Sequence, residues 1–329
     1  MATANEHHAE SDTQLPVPII DFSAFTGGDT NRQAETAAEI SRACREIGFF
    51  YLKNHGVDSA LLEEMFGASA EFFDQPQDIK QDVAWQSAEE NLGYVAIGRE
   101  SLDPSQPGDF KEAFNINEDD AMNGERDCRH PDNRWPQRPA SFRPVMERFF
   151  NACVDTADAV LHAFAIALDT PRDFFVDKHA AHDHTMRVLH YPALGKAGQD
   201  EAATPRAGGH TDYGSITLLF QDDVGGLEVR SLDGEWRFAP PIPGTVLINT
   251  GDLMQRWTND VFRSTPHRVG ASLSENAGRD RYSVAFFCHP DMSADISCLD
   301  SCHDQQRPAQ YPPITAHEHL MERLGATYG

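Results

Sequence analysis

Residues 210–227 read HTDYGSITLLFQDDVGGL. A histidine and an aspartate, His210 and Asp212, stand two positions apart at the edge of an apolar run. The run SITLLFQ reads as a strand, and Asp-Asp-Val-Gly-Gly after it reads as a turn. In a strand, residues i and i+2 face the same side. The two side chains are therefore expected to point together into the mouth of a barrel, with Gly214 bending the chain just afterwards. A short strand that carries two polar side chains to one point needs a reason, and the surrounding chain supplies it.

Working outward, short strands follow one another from Arg187 onward, broken by Gly and Pro. They read MRVLHYPAL, SITLLFQ, LEVRS, EWRFAP, TVLINTG, STPHRVGAS and RYSVAFFCHP. Many short strands separated by turn signals predict a sandwich or jelly roll. The upstream half has a different texture. VPIIDFSAF reads as a strand entering a helix cap. NRQAETAAEISRACREIG has apolar residues at helical spacing and is closed by Gly48. FFYLKNHGV reads as a strand and SALLEEMFGASAEFFDQP as an amphipathic helix stopped near Pro76. Residues Asn91 to Pro139, rich in Gly, Pro, Asp and Asn, read as irregular. Loops of that length are often functional. A long helix is expected from Phe142 to Leu168. The fold class is then α+β: a jelly-roll core with flanking helices and an α/β N-terminal region.

The 329 residues allow a sizeable core, and no apolar stretch approaches the ~20 residues that cross a bilayer. The opening MATANEHHAESDTQLP lacks a basic start followed by an apolar segment, so it is read as a disordered tail and not a secretory signal. The cysteines Cys44, Cys128, Cys153, Cys288, Cys298 and Cys302 form no CxxC pair, and free thiols in a reducing cytoplasm are expected. A formal charge of −25 argues against nucleic acid and anionic membranes as partners, since both reward basic surfaces. Lysine is scarce: Lys53, Lys80, Lys111, Lys178 and Lys196 are all there are. An acidic, lysine-poor surface suits concentrated salt, and a genome that favours Arg codons gives the same scarcity.

A metal site at His210 and Asp212 requires a third ligand. His267, in STPHRV, lies on another predicted strand. Two histidines and one carboxylate on one face of a metal are the facial triad of non-haem Fe(II) chemistry, which leaves positions open for a cosubstrate, O₂ or water. A second constellation is Arg281-Tyr-Ser283, again i and i+2. A buried Arg with a hydroxyl beside it suits a carboxylate, which the guanidinium fork binds in bidentate fashion.

In order and spacing, His210-x-Asp212, His267 and Arg281-x-Ser283 resemble the 2-oxoglutarate/Fe(II)-dependent dioxygenases of the isopenicillin N synthase-like group. VPIIDFS, ACREIGFFYLKNHGV, NTGDLMQRWTND and STPHRV extend the resemblance over most of the chain. It implies a double-stranded β-helix that holds Fe(II) through His210, Asp212 and His267. It implies 2-oxoglutarate as cosubstrate, its far carboxylate on Arg281 and Ser283, with Tyr191 of LHYP also touching it. The chain departs from the common NYYP: Leu189 stands where Asn is usual, and His190 replaces the first Tyr. His190 should point away from Tyr191 and is a poor fourth ligand. The expected organisation is a tail over 1–14, an N-terminal non-haem dioxygenase region over 15–130, a helical connection over 131–180, the jelly-roll core over 181–292, and a C-terminal tail and helix over 293–329.

The resemblance implies that 2-oxoglutarate and O₂ are consumed to give succinate and CO₂, coupled to attack on a C–H bond of a small substrate. An oxidase that dispenses with 2-oxoglutarate, an ethylene-forming type and a non-catalytic jelly-roll module are the competing readings. RVLHYPAL and HTDYGSITLLFQD look most like members related to thymine dioxygenase. Alternation along RYSVAFF places Phe287 on the face of Arg281 and Ser283. Arg187 shares parity with Tyr191, and Tyr213 directly follows Asp212. Two aromatic faces and a guanidinium fork suit a flat, oxygen-bearing ring. Phe287, Arg187 and Tyr213 are thus the expected substrate contacts.

Overall fold

The computed structural model describes residues 17–87, 90–100, 108–118, 131–193, 206–270 and 278–328. The expected 1–14 tail lies outside them. Eight strands share one sheet: β1 (Ile19–Asp21), β2 (Phe49–Lys53), β3 (Gly93–Val95), β4 (Glu112–Asn117), β5 (Thr185–Tyr191), β7 (Ile216–Gln221), β10 (Thr245–Thr250) and β12 (Arg281–Cys288). Their spatial order is β1-β2-β10-β7-β12-β5-β4-β3. A second sheet has the order β6-β11-β8-β9, from β6 (Ala207–His210), β8 (Leu227–Arg230), β9 (Trp236–Phe238) and β11 (His267–Val269). A small antiparallel pair joins β13 (Asp295–Ile296) and β14 (Ile314–Thr315).

The period of two sorts the large sheet into a helix side and an inner side. Phe50, Leu52, Leu218, Phe220, Val284 and Phe286 face back, into one core with the helices Thr30–Glu46, Ser59–Phe73 and Phe142–Ala167. The long helix lays Phe149 against Phe220 and Phe150 against Phe286, each pair edge-on with centroids 5.1 Å apart. Fully burying one such side chain contributes ~1.5–3 kcal/mol, so this face carries most of the hydrophobic stabilisation. The alternate residues face inward. Phe49, Tyr51 and Leu247 meet Leu227 and Val229 of the small sheet. Ala113, Leu189, Tyr191 and Ala285 meet Ala207 and Val269. The two sheets therefore close on each other as a jelly roll, with polar side chains left between the apolar contacts.

The N-terminal region has the expected α/β character, with β1 parallel to β2 across the helix Thr30–Glu46, and it joins the core sheet where β2 pairs with β10 in register Tyr51↔Leu247. Two expectations need correction. The stretch from Asn91 to Pro139 is not irregular throughout, because β3 and β4 continue the same sheet beyond β5. β4 was hidden because its residues are buried on both faces, so polar and apolar residues do not alternate with exposure. Glu112, buried on its back face, is held by Lys80 (2.8 Å), Tyr94 (2.5 Å) and His190 (2.8 Å). Finally, Phe142–Ala167 is long and apolar enough to cross a membrane by length and composition. Its apolar residues are instead buried in the core.

Candidate active site

His210 ends β6 and is the register partner of His267 on β11. That pairing brings the two rings to 4.4 Å between centroids. Asp212 arrives differently from the strand-parity expectation. β6 stops at His210, and residues 211–215 turn before β7 begins. Close packing sets this turn. A Cβ on Gly214 would lie 2.5 Å from the Cys288 carbonyl oxygen, and one on Gly251 would lie 2.3 Å from that of Gly214. The start of helix Asp252–Trp257 clamps the turn from outside. Its Asp252 and Leu253 N–H groups donate to the carbonyls of Asp212 (2.7 Å) and Tyr213 (3.3 Å).

The Nε2 atoms of His210 and His267 lie 3.9 and 3.6 Å from Asp212 Oδ1. The three candidate ligand atoms are within 4.8 Å of one another. Their far ends are anchored. His210 Nδ1 bonds the Gly208 carbonyl (2.8 Å) and His267 Nδ1 the Thr265 carbonyl (3.2 Å). A carbonyl can only accept, so Nδ1 carries the proton and Nε2 presents its lone pair. Asp212 Oδ2 accepts from Thr217 Oγ1 (2.5 Å) and Asn249 Nδ2 (2.7 Å), which leaves Oδ1 for the imidazoles' side. Burial, aided by the neighbouring His267, lowers the His210 pKa to about 4 and keeps the ring neutral. Burial alone would raise the Asp212 pKa. The imidazoles and the two hydrogen bonds outweigh it, and the carboxyl titrates below its ordinary range. Two imidazoles with Nε2 turned to one carboxylate, and no Lys or Arg paired to that carboxylate among the described residues, form a donor set that fits a divalent iron ion.

Arg281 lies on the inner face of β12 opposite Tyr191 of β5, its guanidinium 4.7 Å from the centre of the tyrosine ring. Nη1 donates to Ser283 Oγ (3.2 Å) and Nη2 to Gln221 Oε1 (2.9 Å), while the buried Nε has no partner. Arg281, Ser283 and Tyr191 are thus gathered as expected. His190 points the other way, stacked on Tyr282 at 4.7 Å. Thr217, Asn249 and Gln221 were not singled out from sequence. They reach the site through strand register, which a linear motif does not display.

The expected substrate contacts are placed as follows. Phe287 is an inner-face residue opposite Thr217 and Thr185. Arg187 lies between Ala285 and Asn115 on the same face. Its Nη2 bonds Glu100 Oε2 (2.5 Å), and Lys111 Nζ lies 3.4 Å from the same oxygen. Burial pushes the Glu100 pKa up, but Arg187 and Lys111 together bring it down to about 2. Asn115 donates through Nδ2 to Asn91 Oδ1 (2.8 Å), and its buried Oδ1 has no partner. Tyr213 is half-buried beside the C-terminal helix Ala316–Tyr328, where Arg323 lies 5.3 Å over its ring.

Comparison with known proteins agrees with this geometry. Residues 17–138 match the family described as non-haem dioxygenase in morphine synthesis N-terminal, and residues 182–290 match the 2OG-Fe(II) oxygenase superfamily. A 2-oxoglutarate-Fe(II) type oxidoreductase of Emericella nidulans is 32% identical over 95% of this chain and 90% of its own length. A homoarginine-6-hydroxylase of Oryza sativa subsp. japonica is 30% identical over 94% of this chain and 96% of its own. The crystal structure of full-length Neurospora crassa T7H, in complex with α-ketoglutarate (2-oxoglutarate) and thymine, superposes with a TM-score of 0.86 at 36% identity. That match covers 97% of this chain and 98% of the other. The protein is a dioxygenase, an oxidoreductase that uses Fe(II), 2-oxoglutarate and O₂. The chain belongs to the 2OG-Fe(II) oxygenase superfamily.

Proposed function

We propose that the chain hydroxylates a planar nitrogen heterocycle of the pyrimidine kind. In this reading, substrate C–H, 2-oxoglutarate and O₂ give substrate C–OH, succinate and CO₂. His210, Asp212 and His267 hold the iron. When bound, iron supplies the O₂ activation that couples decarboxylation of 2-oxoglutarate to C–H oxidation. The protein's own residues bind and orient. Arg281 and Ser283 anchor the far carboxylate of the cosubstrate, and Tyr191 packs beneath the guanidinium. Thr217 and Asn249 fix the orientation of Asp212, so that its free oxygen stays toward the metal.

The substrate class rests on one observation above others. The buried Asn115 Oδ1 acceptor, which has no partner, is the register neighbour of the Arg187 guanidinium on the inner face. A ring edge with N–H beside C=O complements an acceptor beside a donor fork. Phe287, on the same face, offers a surface for stacking. The likeness to a protein solved with thymine supports the same class. The competing class is an amino acid, as in the homoarginine hydroxylase.

The test is a substrate panel of thymine, uracil and homoarginine, scored by succinate release and by a product one oxygen heavier. A pyrimidine should raise succinate formation above the uncoupled rate and emerge hydroxylated. Stimulation by homoarginine with none by either ring would overturn the substrate assignment.

A further inference from the structure

Arg206 stands immediately ahead of β6, at the edge of the small sheet, and Arg281 belongs to the large one. Each is 1% exposed. A guanidinium carries five N–H donors, and burying it is costly unless acceptors or a counter-charge surround it. Arg206 has one acceptor: Nη2 donates to the Pro192 carbonyl at 2.6 Å. Its Nε and Nη1, and the Nε of Arg281, are buried with no partner.

The two arginines come close together beside Tyr191. Pro192 follows Tyr191, whose ring lies under the Arg281 guanidinium. Ala207, next to Arg206, packs in one apolar cluster with Tyr191 and Leu189. Burial first, and the Arg281 charge second, make it harder for Arg206 to stay protonated. Asp222 and Asp280 act on Arg206 at longer range, but neither forms an ion pair with it. Asp222 accepts from the Val224 (3.0 Å) and Tyr282 (2.6 Å) N–H groups, and Asp280 from the Ala193 N–H (2.7 Å). Among the described residues no carboxylate pairs with either guanidinium. Two buried like charges close together, with three donor nitrogens unpaired, define a place for an anion.

We propose that Arg206 is a second binding residue for the cosubstrate. Its Nε and Nη1 share the far carboxylate of 2-oxoglutarate with Arg281, so that the site selects a 2-oxo acid with a carboxylate at its far end. This rests on the assignment of Arg281 and Ser283 above. It goes further in giving the selection to two guanidinium groups, one on β12 and one in the lead into β6. Arg206 has a second, structural bond to Pro192, so the test must separate recognition from support.

The measurement is calorimetric binding to the Fe(II)-loaded protein without O₂. The ligands are 2-oxoglutarate and 2-oxobutyrate, which keeps the 2-oxo acid end and lacks the far carboxylate. In Arg206→Gln, which retains an N–H donor for Pro192, 2-oxoglutarate should bind at least tenfold more weakly and 2-oxobutyrate as in wild type. A purely structural role would weaken both acids alike. That result, or unchanged 2-oxoglutarate affinity, would overturn the proposal. If Arg206→Gln does not fold, a crystal structure of the wild type with 2-oxoglutarate decides. A carboxylate oxygen within hydrogen-bond distance of Arg206 Nε or Nη1 supports the proposal. A carboxylate held by Arg281 and Ser283 alone ends it. The two failures are distinguishable. Wild-type protein that holds iron and ignores 2-oxoglutarate would sink the cosubstrate reading. Weakening in Arg281→Gln but not in Arg206→Gln would sink only this extension.

Discussion

Asp212 has one oxygen saturated by Thr217 and Asn249 and one left over, and that asymmetry makes the aspartate a directed ligand. Removing a hydrogen bond of this kind costs ~10–100-fold in metal affinity in comparable sites. Asn249→Ala should therefore weaken Fe(II) binding by about that factor while the fold persists, as read by metal titration and melting temperature. Glu100 makes a similar case for Arg187. Its carboxyl is held down to about 2 by Arg187 and Lys111, against burial. A carboxyl depressed in the folded state stabilises above its unfolded pKa, and that contribution fades as pH falls toward the folded value. The gap in melting temperature between wild type and Glu100→Gln should thus be widest near neutrality and close as pH drops from about 4.5 toward about 2. The same variant removes the Glu100 carboxylate that holds Arg187 Nη2, so the substrate KM should rise with 2-oxoglutarate affinity unchanged. A gap that stays constant with pH would reject the ion-pair account. At this scale the sequence was legible where spacing is the signal: His210, Asp212, His267, Arg281 and Ser283. It was not legible for Thr217, Asn249, Gln221 or Arg206. Those residues become site residues only when four strands and the lead into β6 are brought into register.

Among elements, the strands with apolar or β-branched runs were readable, from β5 through β12. Two of those that escaped have physical reasons. β4 carries Glu112 and Asn115 into buried positions, so its sequence looks like a loop. β6 reads Ala-Gly-Gly-His, too short and too glycine-rich to announce a strand. The pairing of His210 with His267 depends on that strand, so the sequence named both ligands without showing how they meet. The helix Asp252–Trp257 and the C-terminal helix hold the ligand turn from outside. Arg323 pairs with Asp252 (2.7 Å), donates to Thr211 Oγ1 (3.2 Å) and lies over Tyr213. Its side chain is partly exposed, and such contacts contribute at most about 1 kcal/mol each. Arg323→Ala should accordingly leave the melting temperature within a few degrees of wild type and raise the substrate KM severalfold through a looser turn. A large drop in melting temperature with an unchanged KM would assign the C-terminal helix to stability alone.

Over the whole molecule, the jelly roll follows from alternation: one face of the large sheet meets the helices, the other meets the small sheet and the site. The net charge of −25 is the molecule's other global property. Self-repulsion at that charge opposes compaction, and at 1 M salt the screening length falls to ~3 Å. The melting temperature should then climb from low to molar salt. A flat response would return the acidic, lysine-poor composition to codon usage. The central claim is that three side chains from β6, its turn and β11 hold the iron on which turnover of 2-oxoglutarate depends. Its most direct test is succinate formation from 2-oxoglutarate under O₂ with added Fe(II), measured together with bound iron in wild type and Asp212→Ala. The wild type should bind one iron and form succinate. The variant, left with two imidazoles, should lose both iron and succinate formation while melting as a folded protein. A folded Asp212→Ala protein that turns over 2-oxoglutarate at the wild-type rate with no iron bound would contradict the account.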